Sequence, residues 1–403
     1  MAPVSSVEPV ETFVDTQEFG RLLFPKEFHS FTGDRSEISI LDARGNPRAM
    51  LERLALGHWL LLVGPYAYVD AIYRYCQHHE VALVHTAECD HIEAPRARRA
   101  AFASLRRSRL HHLFIVGCGN ALVGVDDAPD MSGFQDWLES STGDYRFLLP
   151  VRRLQRILTD MRRAGNGILI PGLGRPITIF PHVYVPSDVS VPGMFATHKD
   201  RFPGKRVLDM GTGTGVLALL AACYGAASVV ATDSNAFAVR NAAANVRLLG
   251  MESVVDVRGP ASLFRSTGYE PFDLILFNAP WRDGVPHTIY DAAILDPGHH
   301  VLKGFLASAP NHLRPNGTIL LQLSDAFARG KGDFAAQMGD LLACNGLRVA
   351  GFDTLSRLSR ASAGRETVYL FDIRHNSPCR SEGTTGVDSI LRMHKHQTSW
   401  IIP

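Results

Sequence analysis

Long hydrophobic runs, paired cysteines and an excess of either charge are all missing from this 403-residue chain. No stretch approaches the roughly 18 consecutive apolar residues that a membrane span needs, and the most apolar segment, 58–69, is interrupted. The N-terminal stretch lacks a basic region followed by an apolar run, so no signal peptide is read there and a cytoplasmic location is expected. The six cysteines (Cys76, Cys89, Cys118, Cys223, Cys344 and Cys379) are scattered without a C-x-x-C pair, which argues against a disulfide framework or a zinc site. His78, His79, His85, His91, His111 and His112 lack ligand spacing with acids or cysteines, so no metal is expected. The formal net charge is +1, so any nucleic-acid site would have to be a local patch rather than a property of the whole chain. There is no internal repeat.

What is present is an ordinary globular composition, 46% apolar and 20% charged, on a chain long enough for two domains with large cores. Residues 1–150 read as a small α/β domain. Its apolar runs at 59–64, 81–84 and 113–117 alternate with helical segments, one of which carries Val69, Ile72, Tyr73 and Cys76 on one face. Residues 151–189 read as a linker. Val151, Leu154, Ile157, Leu158 and Met161 mark a connecting helix, and 168–170 and 177–179, separated by Gly172 and Gly174, mark a β-hairpin. From Arg206 onward strands and helices alternate at short spacing. Strands are expected at 207–210, 228–232, 254–257, 272–277 and 317–323, with helices between them. Two late strands at 347–352 and 367–373 lack an intervening helix and are expected to be antiparallel. That order specifies a mainly parallel sheet with helices on both faces over residues 190–375, and 376–403 read as a polar tail.

Three motifs in this second half carry chemistry. Asp209-Met210-Gly211-Thr212-Gly213-Thr214-Gly215 follows a strand and opens a helix. Its glycines permit tight turns, and the helix start offers unpaired N–H groups to an anion. A dinucleotide fingerprint would need Gly or Ala where Val216 stands, so NAD and FAD fit poorly. Asp233, at the end of the next strand, is placed to accept hydrogen bonds from both hydroxyls of a ribose; it would equally serve as an N-cap for the helix from Ala236. Asn278-Ala279-Pro280-Trp281 ends the strand 272–277. An Asn side-chain oxygen there can accept a hydrogen bond from a substrate N–H, and Trp281 can stack on a flat group. The alternative is a Pro-containing turn with a core tryptophan.

With these motifs in register, residues 181–325 resemble class I methyltransferases of the HemK and RsmC-like group, which carry D-x-G-x-G-x-G, an acid after the second strand and N-P-P-Y or N-P-P-F after the fourth. The approach segment 183–188 and Leu313-Arg314-Pro315-Asn316-Gly317 add to the likeness, and the first 150 residues resemble nothing that we can name. The resemblance implies a Rossmann-like seven-stranded α/β domain and S-adenosyl-L-methionine as cofactor. By the same resemblance Asp209, Gly211, Gly213 and Gly215 would hold the methionine part of the cofactor, Asp233 the ribose, and Ser262 or a backbone group the adenine amine. Asn278, Pro280 and Trp281 would orient the methyl acceptor. Ala279 and Trp281 depart from the family's pattern, as does Ser262, where relatives often carry Asp.

Three functions compete at this point. The first is N-methylation of a small molecule or peptide, with the first domain covering the site or mediating a homodimer. The second is methylation of an RNA base or of a protein glutamine side chain. For RNA, the arginine-rich segments 96–109 and 146–163 would meet phosphates, although the same arginines also fit solvated helix faces and are not interleaved with aromatics. The third is a cofactor-binding regulator without activity, against which the Asn278–Trp281 segment argues. Asp283, His287, Asp296, His299 and His300 are candidates for a general base, or else loop and helix-cap residues.

Overall fold

A computed structural model describes residues 12–25, 38–84, 86–89, 91–92, 95–138, 142–184, 190–286, 288–328, 334–358 and 365–376. These fall into two units that divide between Arg162 and Arg163. The first unit contains strands β1 (Thr12–Thr16), β2 (Gly20–Phe24) and β3 (Ile38–Asp42), helix α1 (Pro47–Ala55), β4 (Trp59–Pro65), helices α2 (Tyr66–His78) and α3 (Pro95–Leu110), β5 (Leu113–Cys118), β6 (Ala121–Val123), β7 (Val125–Asp126), β8 (Arg146–Pro150) and all but the last turn of helix α4 (Val151–Asn166). The main sheet runs β1-β2-β8-β5-β4-β3, with β3, β4 and β5 parallel and β8 antiparallel to β5.

The central strands form because they are apolar on both faces. Trp59 to Leu62 and Leu113 to Val116 are fully buried, as a strand covered by helices on each side must be. The run at 81–84 is not a strand. Residues Glu80–Leu83 form a single 3-10 turn that buries Leu83 and leaves Val81 73% exposed. A four-residue apolar run carries no period that separates strand from helix, and here local packing chose. The expected linker helix is likewise part of this unit. α4 buries Val151, Leu154, Ile157 and Leu158 in the same core as Trp59 and Phe114. Its stripe at i, i+3, i+6 and i+7 is that of a helix packed on one face, not of a solvated connector.

The second unit begins with the two-residue strands β9 (Ile168–Leu169) and β10 (Pro176–Ile177), a much shorter hairpin than the sequence suggests, followed by helix α5 (Ser190–Ala196). Then come β11 (Arg206–Met210), α6 (Val216–Cys223), β12 (Ser228–Thr232), α7 (Ala236–Leu249), β13 (Val255–Arg258), β14 (Phe272–Asn278), α8 (His300–Ser308), β15 (Leu313–Ser324), α9 (Phe334–Ala343), β16 (Leu347–Leu358) and β17 (Arg365–His375). The seven-stranded sheet has the order β13-β12-β11-β14-β15-β17-β16. The first five strands are parallel, and β17 runs antiparallel to both β15 and β16. One face buries Leu208, Ile275, Phe277, Ile319 and Leu321 against Phe305. The other buries Val207, Leu274, Leu276 and Leu320 against α6, whose residues Val216 to Ala221 are buried all round.

The chain order reverses at β11, whose neighbours are β12 on one side and β14 on the other. In an open parallel sheet that reversal opens a crevice beyond the carboxyl ends of the strands. Among the described residues no helix is long and apolar enough to cross a membrane.

Candidate functional site

The crevice is built by the three motifs. Beyond Met210 the chain turns through Gly211 (φ +67°), Gly213 (φ +57°) and Gly215 (φ +87°), left-handed conformations that cost an L residue with a side chain about 1–2 kcal/mol each. At Gly215 space also forbids a side chain, because a Cβ would stand 3.2 Å from the Cα of Ala242 on α7. Gly211 and Gly213 line the cavity, whereas Gly215 lies behind them and lets α7 pack.

Asp209 does not line the cavity. It is fully buried, and its Oδ2 accepts from the Thr212 hydroxyl at 2.6 Å and from the Ala218 N–H at 3.0 Å. It therefore shapes the loop from beneath, a different position from the direct cofactor contact expected. Burial pushes its carboxyl up to about 7 against two hydrogen bonds that favour the charge, and its Oδ1 has no partner among the described residues.

Asp233 does line the cavity. Its Oδ2 accepts from the Gly213 N–H and its Oδ1 from the Asn235 N–H, both at 2.9 Å, which leaves further lone pairs facing the crevice. Burial raises its pKa above the usual carboxylate range. The helix-cap alternative falls to Asn235, whose side chain accepts from the Phe237 N–H at 2.9 Å at the start of α7. Ser262 lines the same cavity beside Ala261 and Leu263.

Asn278 and Pro280 line the cavity from the end of β14. The Asn278 side-chain oxygen is buried with no hydrogen-bond partner among the described residues. An amide oxygen left in that state costs about 1–3 kcal/mol unless something supplies a donor. Trp281, expected to stack on the acceptor, is instead 8% exposed and part of the apolar cluster with Phe277, Ala279 and Phe327. It is absent from the cavity wall because its ring fills the core beneath the motif. Apolar side chains of Tyr184, Phe277, Ile289 and Val301 supply much of the remaining lining.

The candidate bases are structural where they are described. Asp296 is fully buried and accepts from the Val301 and Leu302 N–H groups at 3.0 and 3.1 Å, so it caps α8. Asp283 accepts from the Gly298 N–H at 2.8 Å. His299 packs on Phe327 with ring centroids 4.2 Å apart, and His300 opens α8. His287 and positions 185–188 of the approach segment lie outside the described residues, as do His85 and the tail from 377.

Several described arginines of the two segments are engaged within the first unit. Arg109 pairs with Glu88 at 3.0 Å with its side chain 16% exposed, and Arg98 donates to the Ile92 carbonyl at 2.8 Å. Arg153 donates to the Trp137 carbonyl at 3.3 Å, and Arg156 lies 3.9 Å from Asp160. The side chains of Arg96, Arg99 and Arg107 lie outside the described set.

Sequence reasoning missed Asn241 and Asn245. Both are fully buried on α7, one turn apart. Asn245 accepts from the Thr178 N–H and donates to the Thr214 carbonyl, both at 2.8 Å, and Asn241 accepts from the Phe180 N–H at 2.9 Å. Together they strap segment 178–180 to the glycine loop. The readable signal was two amides spaced i, i+4 in an otherwise alanine-rich helix.

Comparison with known proteins agrees with this geometry in the second unit. The family model "Ribosomal protein L11 methyltransferase (PrmA)" matches residues 194–279. A release factor glutamine methyltransferase of Xylella fastidiosa is 33% identical over 178 residues, 41% of this chain and 62% of that protein. A putative protein N5-glutamine methyltransferase of Methanocaldococcus jannaschii is 29% identical over 164 residues, 38% of this chain and 77% of that protein. A ribosomal protein L11 methyltransferase of Bacillus cytotoxicus is 49% identical over 84 residues, 21% of this chain and 26% of that protein. The chain thus spans less than two thirds of the first and third of these relatives.

Proposed function

We infer the activity of this chain from one premise: its second unit belongs to the class I S-adenosylmethionine-dependent methyltransferases, in the branch that holds the HemK-like and PrmA-like proteins. On that premise the chain transfers a methyl group to the side-chain amide nitrogen of a glutamine in a protein substrate. The relatives' own names carry protein glutamine and ribosomal protein as acceptors, and so favour this reading, first held as the alternative, over the small-molecule or peptide acceptor that the sequence first suggested. The single observation that carries it is the Asn278 oxygen, a buried acceptor in the cavity wall that has no donor among the described residues. A primary amide offers two N–H donors. Accepting one of them fixes the plane of the nitrogen and the direction of its lone pair.

The residues present fit the cofactor. The lone pairs left on Asp233 suit the two ribose hydroxyls, and Gly211 and Gly213 place backbone without side chains in the cavity wall. S-adenosyl-L-methionine would supply a methyl group activated on a sulfonium. The protein's share is to orient the acceptor with Asn278, to hold the loop with Asp209, and to keep water out with Phe277 and Ile289.

Asn278→Ala tests the reading. Transfer of labelled methyl to glutamine-bearing peptides should fall about 100-fold, while cofactor affinity by calorimetry stays within about threefold. A wild-type chain that takes up no S-adenosylmethionine would sink the proposal.

A further inference from the structure

Behind the cavity wall, the sheet face that carries Asn278 also carries a row of buried polar side chains. Asn278 pairs in register with Gln322 on β15, and Ser324 pairs with Val368 on β17. Strand side chains alternate between faces with period two. Leu276, Leu320 and Val368 share one cluster, so Asn278, Gln322, Ser324 and Glu366, each two or four residues from one of them, stand on that same face. Gln322 and Ser324 are fully buried, and Glu366 is 1% exposed.

A carboxylate so deeply buried is costly unless paired and hydrogen-bonded. The Ser324 hydroxyl donates to Glu366 Oε1 at 2.6 Å, and an Arg282 guanidinium nitrogen lies 3.7 Å from Oε2. Arg282 directly follows the acceptor motif. Its N–H donates to the Ile294 carbonyl at 3.2 Å, and its carbonyl accepts from the Asp296 N–H at 2.8 Å. Between those anchors lie Ile289, Ala292 and Ala293 of the cavity wall, and Asp296 in turn caps the helix that carries Val301, another wall residue. Sheet, carboxylate, guanidinium, loop and helix start therefore form one connected chain of contacts.

We propose that Arg282 and Glu366 are a positioning pair: they tie the loop 282–296 to the carboxyl end of β15 and β17, and so hold the acceptor side of the crevice, Asn278 included, at its working distance from the cofactor side. The proposal rests on the methyltransferase reading. Neither residue touches the substrate; both act through the wall and through Asn278. Loss of the guanidinium weakens the compensation of a buried carboxylate and loosens the loop, whereas Asp209 and Asp233 are held by bonds to Thr212, Ala218, Gly213 and Asn235 and keep their geometry.

Hydrogen exchange of the full-length chain reads the tie without turnover. In Arg282→Met, amides of 282–296 should exchange at least about tenfold faster, with those of 206–235 unchanged. With S-adenosylmethionine and a glutamine-bearing peptide as probes, kcat should fall about 10–100-fold, with KM and cofactor affinity within about threefold. Arg282→Lys should recover most of both effects, and Glu366→Gln should reproduce them in part, which covers the case in which Arg282→Met fails to fold. Unchanged exchange at 282–296 in both Arg282→Met and Glu366→Gln overturns the proposal. So does a rise in KM at constant kcat, which would make Arg282 a substrate contact. If the wild type binds no S-adenosylmethionine, the functional reading fails, while the exchange result still decides the tie.

Discussion

The parallel strands of this chain's two mixed sheets finish their carboxyl edges in opposite ways. In the first unit the chain fills its own edge. After β5 it returns as β6, paired with β5, and as β7, paired with β4 at Gly64 and Pro65, where the Gly64 N–H donates to the Gly124 carbonyl at 2.8 Å. Asp42, at the end of β3, accepts from the Arg44 N–H at 2.8 Å. In the second unit no such return exists among the described residues, and the edge keeps an acceptor in the cavity wall that those residues leave open, on Asn278. Buried polar groups are nearly always satisfied, so the contrast separates an edge that is finished structure from one that waits for a ligand.

The largest test of this contrast is pH. In the second unit Asp209 has a folded pKa of about 7 against an ordinary 3.8. A raised pKa means the folded state holds the proton longer, so its stabilising effect is complete below pH 3.8 and is lost as pH rises through 7, on the order of 4 kcal/mol. In the first unit His112, buried against Trp59, is lowered from 6.5 to about 4, first by burial and then by the charge of Arg109. Here the unfolded chain takes the proton first, so this unit should lose about 3 kcal/mol as pH falls from 6.5 to 4. Denaturant titrations read by fluorine NMR of 5-fluorotryptophan at the buried Trp59 and Trp281 should therefore show opposite slopes from these two groups. Asp209→Asn should flatten one, and His112→Phe the other. Equal slopes before and after the replacements would remove the electrostatic half of the comparison.

A smaller effect concerns the cofactor alone. Asp233→Ala should lower affinity for S-adenosylmethionine about 10–100-fold by calorimetry, as expected for lost hydrogen bonds to a charged group. Asp42→Ala, its positional counterpart in the first unit, should leave that affinity unchanged. Smaller again is a pair of glycine substitutions. Gly215→Ala meets both a left-handed backbone and the Ala242 Cα at 3.2 Å, and should cost about 2–3 kcal/mol in thermal unfolding. Gly119→Ala in the first unit has φ +55° with nothing within 4 Å of its Cβ, and should cost about 1 kcal/mol. The smallest is Arg156→Ala, whose half-exposed pair with Asp160 at 3.9 Å should change stability by less than about 0.5 kcal/mol.

Much of the second unit was legible before any coordinates. The strand–helix alternation, the glycine loop, Asp233 and the Asn278 turn were all readable because each is local: a period, a turn that needs glycine, an acid or amide at a strand end. Local signals failed where a residue's task depends on what arrives from elsewhere in the chain. Trp281 reads equally as a stacking platform or a core residue, and only the cluster around Phe277 and Phe327 assigns it to the core. The helical period of 151–158 is plain, but whether that helix connects or packs depends on the sheet it meets. Gln322, Ser324 and Glu366 carry no motif, and they come together only because β17 inserts between β15 and β16.

By itself, then, the sequence determined most element types, the class of sheet and the crevice positions Gly211, Gly213, Asp233, Ser262, Asn278 and Pro280, since short-range sterics and hydrogen bonding decide these within a few positions. Tertiary structure alone decided which polar atoms end up satisfied. Asp209 is consumed by Thr212 and Ala218 beneath the loop, Asn241 and Asn245 by the strap at 178–180, and Asn278 keeps an open oxygen. Satisfaction is a property of neighbours in space, and burial makes it energetically decisive, because water is no longer there to supply the missing partner.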